Sequence, residues 1–128
     1  EYNFFEFQDS LIDKDSIKFS KITNYFTSNE NKYPFQQLLV YMFSFYSKML
    51  IIKKNNLNNP QTIASSLRIH PFVAKSFSRA INRYSVKSLK KNLAYLSELD
   101  LISKGIKPIS FDYKSIVREM SFKLFINK

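Results

Sequence analysis

The sequence predicts an all-α fold, a single bundle of six or seven helices occupying residues 1–128. Three observations carry this. Apolar residues recur at three- and four-residue spacings along most of the chain, with no sustained two-residue alternation bounded by hairpin turns and no internal repeat. Helix punctuation stands where that pattern breaks: Asp15, the Asn59-Pro60 pair and Gly105. A length of 128 residues suffices for one ordinary hydrophobic core.

The elements follow in order. A short helix over Phe4 to Ile12 places Phe4, Phe5, Gln8, Leu11 and Ile12 on one side. Asp15 caps a second helix that carries Phe19, Ile22 and Phe26 inward and ends in the polar loop Thr27 to Lys32. Pro34 suits the first turn of a long helix reaching about Lys53. Its apolar residues, from Phe35 through Leu50, cover an arc of roughly 160°. Gln37, Ser44 and Lys48 form its polar back, so it belongs at the centre of the bundle. Asn59-Pro60 opens a short helix to about Leu67, Ile69-His70-Pro71 makes a turn, and Pro71 opens a helix to about Tyr84. The next helix spans Val86 to Lys104 and stops at Gly105, with Pro108 beyond. The last, capped near Ser110 or Asp112, carries Tyr113, Ile116, Val117, Met120 and Leu124.

Composition narrows the function. A single glycine cannot write a P-loop, a dinucleotide fingerprint or a nucleophile elbow. Without cysteine there is no disulfide, thiolate metal site or cysteine nucleophile, and His70 alone makes no histidine cluster. No catalytic, cofactor or metal site is expected. As a turn residue before proline, His70 is expected to make one structural hydrogen bond. The stretch Pro34 to Ile52 is broken by Gln36, Gln37, Ser44, Ser47 and Lys48, so no membrane span or targeting segment is expected and the cytoplasm is the default compartment. A chain opening on Glu1 instead of Met reads as a piece of a longer protein.

The net charge of +10 is uneven. Residues 1–31 hold six acids and three lysines, whereas no acid occurs between Glu30 and Glu98, where 11 Lys or Arg stand. Such a stretch attracts polyanions. The same bias follows from a composition in which Ile, Lys, Asn, Phe and Tyr supply 61 of 128 residues. Within it, segment 60–84 has the helix–turn–helix outline of a DNA reader. Lys75, Arg79 and Arg83 lie on the face opposite Val73, Phe77 and Ala80 and are the expected DNA-backbone contacts.

On helix 86–104, Val86, Leu89, Leu93 and Leu96 form the main apolar stripe. Asp100 falls within that stripe, four residues before Lys104, in the favoured order for an ion pair. A structural Asp100–Lys104 pair, largely buried, is the expectation. Tyr95, Leu99 and Ile102 read as a second stripe facing away from the bundle, hence as interface residues. Changing Leu99 and Ile102 together to Glu is accordingly expected to leave the fold intact and to block assembly.

One family shares this order of motifs. The run Ile63-Ala64-Ser65-Ser66-Leu67-Arg68-Ile69-His70-Pro71-Phe72-Val73-Ala74-Lys75, then Ala80, Tyr84-Ser85, Leu89, Leu96-Ser97-Glu98-Leu99-Asp100, Lys104 and Gly105, resembles the C-terminal domain of the bacterial DNA polymerase III delta subunit. The resemblance is strongest over 57–105. It implies a helical collar domain that packs against the equivalent domains of the other clamp-loader subunits. The parent would be an AAA+-like subunit that opens the sliding clamp and loads it on primed DNA without hydrolysing ATP. The clamp would be contacted by a domain absent from these residues, and nucleotidyl transfer would belong to the holoenzyme as a whole. The basic surface is not credited to the family. A stand-alone DNA-binding domain using helix 71–84 is the alternative.

Overall fold

The computed structural model describes residues 1–107 and 109–126. Pro108, the proline expected beyond the Gly105 cap, lies outside the described residues. The described residues form seven α-helices and no strand.

Local chemistry sets each boundary. Helix α1 (Phe4–Ile12) starts at a reciprocal capping box: the Glu6 N–H donates to Asn3 Oδ1 at 3.0 Å, and the Asn3 N–H donates to Glu6 Oε1 at 3.1 Å. Asp15 caps α2 (Ser16–Thr27) by accepting from the Lys18 N–H. Helix α3 (Phe35–Lys54) has Pro34 in the cap position, extended at ψ 152°, one residue earlier than expected. Asn59 caps α4 (Pro60–Leu67), which ends on Arg68 in the left-handed region. His70 Nδ1 accepts from the Phe72 N–H at 3.0 Å and opens α5 (Pro71–Ala80). Its one side-chain bond is structural.

Helix α5 ends four residues before Tyr84. The chain tightens into a 3-10 turn, Ile81–Arg83, and Tyr84 is extended. Turning the chain there lets Ser85 cap α6 (Val86–Ser103) through a second capping box with Ser88. Gly105 terminates α6 region at φ 73°, a conformation that favours glycine. Asp112, one of the two expected caps, accepts from the Ser115 N–H and hydroxyl ahead of α7 (Tyr113–Ile126).

The core sits around α3. Its buried face runs Phe35, Leu38, Leu39, Met42, Phe45, Tyr46, Met49 and Ile52. By length and hydropathy α3 does pass as a membrane span, contrary to the sequence reading, but that face is packed against the bundle. Its main neighbour is α6, and the two run antiparallel: Gln36 at the start of α3 donates to Ser103 at the end of α6, at 2.6 Å. Helices α2 and α7 pair beside them, with the Phe19 and Phe125 rings 5.1 Å apart. Helices α4 and α5 form a hairpin whose Phe77 ring stacks 5.5 Å from Phe45 of α3.

Tyrosine hydroxyls pin remote segments together. Tyr84 donates to the Leu11 carbonyl, Tyr113 to the Tyr33 carbonyl at 2.7 Å, and Tyr33 to the Tyr2 carbonyl at 3.0 Å. Each joins two segments distant in sequence. The aromatic content thus serves the fold as anchors as well as filler.

Candidate assembly surface

Helix α6 departs most from the sequence reading. Its buried face is one continuous band, Ser88, Leu89, Asn92, Leu96, Leu99 and Ile102. Leu99 and Ile102 are 2% and 7% exposed, so they belong to the core and not to an interface. The two stripes read as opposite are joined by Asn92. Its side chain is buried and donates to the Leu124 carbonyl of α7 at 3.2 Å. A polar residue satisfied by a helix carbonyl is silent in a hydropathy pattern. Tyr95 is half-buried at the edge of the band, and its hydroxyl donates to Glu119 of α7 at 2.6 Å. It too serves intramolecular packing.

Rotating the band also moves Asp100 to its margin. Asp100 Oδ2 and Lys104 Nζ lie 3.0 Å apart, but the side chains are 29% and 54% exposed. The expected burial is corrected, since the lysine reaches into solvent. The Asp100→Asn substitution is expected to cost no more than ~0.5 kcal/mol in urea unfolding, as for an exposed i,i+4 pair. A loss of several kcal/mol would restore the buried-pair reading.

Lys75, Arg79 and Arg83 are all exposed, but they are not equivalent. Arg79 and Arg83 lie 3.6 and 3.9 Å from Asp13 in the α1–α2 turn. Arg83, in the 3-10 turn rather than on α5, also donates to the Ile12 and Arg79 carbonyls. Lys14 and Lys53 reach the same turn, donating to the carbonyls of Arg83 and Ile81. Much of the charge gathered here therefore fastens α1, α3 and α5 together. Lys75 has no ion-pair partner among the described residues.

The large apolar side chains left in solvent lie elsewhere. Phe5 on α1 and Phe72 on α5 are 81% and 75% exposed. The sequence pattern puts Phe5 on one side of α1 with Phe4, Gln8, Leu11 and Ile12. Instead Phe7 takes the core position, and Phe5 points away. Phe72 stands three, four and seven residues before Lys75, Ser76 and Arg79. An aromatic on a polar helix face was the available signal for it. Val73 lies beside both rings, and Phe4 and Tyr41, stacked at 4.2 Å, lie beside Phe5. Ile17 and Phe122 form a second exposed apolar pair, beside the α2–α7 seam. Among the described residues no group of three or more His, Cys, Asp or Glu is placed to hold a metal ion.

Exposed apolar side chains on several helices are the kind of surface that protein association uses. The chain matches the model for the DNA polymerase III delta subunit, C-terminal domain, over residues 1–126, and it belongs to that family. Neither a curated protein nor a solved structure matches it significantly.

Proposed function

We propose that this domain is the collar module of a clamp-loader delta subunit, a non-catalytic part that assembles with the equivalent domains of related subunits. In that setting the loader opens a sliding clamp and places it on primed DNA in the cytoplasm. Clamp contact falls to a part of the subunit outside these residues, and nucleotidyl transfer falls to the polymerase. The observation that carries the reading is the family match over 1–126. Exposed Phe5 and Phe72, on a chain whose core is already filled, support it.

The test is co-expression of the full-length chain with the loader's ATPase subunits. A stoichiometric complex that survives size-exclusion chromatography is the expected result, and separate elution would sink the reading. A salt titration on duplex DNA addresses the alternative of a stand-alone DNA reader. With Arg79 and Arg83 held by Asp13, binding should be weak and independent of sequence. Lys75→Gln should flatten the log–log salt slope by about one phosphate contact. A specificity ratio near 10³ or above would favour the DNA reader instead.

A further inference from the structure

The seam between α1 and α5 forms an open groove. One part, of about 190 Å³, is lined by Phe4, Phe5, Gln8, Tyr41 and Val73. It continues into a second part, of about 360 Å³, where Asp9, Phe72, Ser76 and Arg79 join Phe5, Gln8 and Val73. The exposed ring of Phe5 lines both parts and that of Phe72 the second, while the stacked pair Phe4–Tyr41 lines the first. Two exposed rings along one apolar lining offer the anchors that a helix seated in a groove requires.

Charge selects the occupant. A second copy of this chain would bring together two bodies of net charge +10. A nucleic acid would meet the Asp9 carboxylate in the groove, while the nearby Arg79 is already held by Asp13. Lys75, on the α5 side, has no ion-pair partner among the described residues and is open to an incoming carboxylate. We propose that the α1–α5 groove receives an amphipathic helix from a different, acidic-flanked subunit of the complex. The apolar face of that helix packs between Phe5 and Phe72, and its flanking carboxylate pairs with Lys75. This rests on the assembly reading above and specifies the surface and the chemistry of the partner.

The test uses the full-length chain, with the loader's ATPase subunits as the probe. Phe5→Ser with Phe72→Ser should leave the melting temperature of the chain close to the parent's, because both rings are solvent-exposed. The same pair should weaken assembly by about 100-fold or more, as expected for losing two buried aromatic anchors. Lys75→Glu should weaken it by about 10-fold at low salt, with the difference vanishing near 0.5 M salt. Assembly of the double Phe variant at parental affinity would overturn the groove and leave the assembly reading standing. Failure of the parent itself to assemble would sink the assembly reading. Two other results would overturn the proposed occupant: self-association of the parent that the double variant abolishes, or DNA affinity lost in that variant while assembly is kept.

Discussion

Replacing Leu99 and Ile102 together by Glu is expected to unfold the domain. Both side chains sit in the band that α6 turns toward the core, 2% and 7% exposed. A carboxylate at either site would be stripped of water with no cation built to receive it. Leaving a charge uncompensated in an interior costs about 3–5 kcal/mol, or the group takes up a proton and still leaves a polar cavity. Two such sites roughly equal the whole stability of a small domain, about 5–15 kcal/mol. Far-UV circular dichroism and urea titration would show it directly. A helical double variant with a cooperative transition near the parent's would mean that this face is not core. Leu99→Ala alone should cost about 2–5 kcal/mol and stay folded, a graded control on the same band.

That outcome reverses what the sequence suggests for the same pair, and the reason is physical. Hydropathy reads only apolar residues, so on α6 it found one stripe through Leu89 and Leu96 and another through Leu99 and Ile102. The residue joining them, Asn92, is buried because α7 presents the Leu124 carbonyl to it, and α7 is distant in sequence. Local signals fared better. Asp15 and Asn59 each accept a backbone N–H at a helix start, and Gly105 takes the left-handed turn, because caps depend on a few adjacent residues. Helix α5 ends early at Ala80 because Tyr84 must swing out to reach the Leu11 carbonyl, again a contact that no local pattern announces. The family was legible because its motifs are ordered along the chain. The groove was not, since it forms only where α1 meets α5.

Alkaline solution is expected to destabilise the domain through two tyrosines in the core. Burial pushes both Tyr46 and Tyr84 well above the ordinary tyrosine range, and each would feel the other's charge or hydroxyl. Tyr46 is fully buried, facing Asn92 and Tyr84, and its hydroxyl has no hydrogen-bond partner of normal geometry. Tyr84 is nearly as buried and donates to the Leu11 carbonyl. Below pH ~10 both states of the chain keep these protons, and their contribution to stability is fully present. Above it the unfolded chain releases them while the folded chain holds them. The folded state then binds more protons, so stability falls as pH rises toward the raised values. Each tyrosine removes about 1.4 kcal/mol per pH unit for as long as the folded chain alone holds its proton. Urea titrations from pH 8 to 11.5 would trace the decline. Tyr46→Phe with Tyr84→Phe should make it shallower, the remainder coming from Tyr95 and Tyr113, which burial also raises, when each protein is referred to its own stability at pH 8. At neutral pH the two substitutions should differ in sign. Tyr84→Phe loses a hydrogen bond and costs about 1–2 kcal/mol, whereas Tyr46→Phe removes an unsatisfied buried hydroxyl and is neutral or stabilising by about 1 kcal/mol. An alkaline limb as steep in the double variant as in the parent would show that other groups drive the transition.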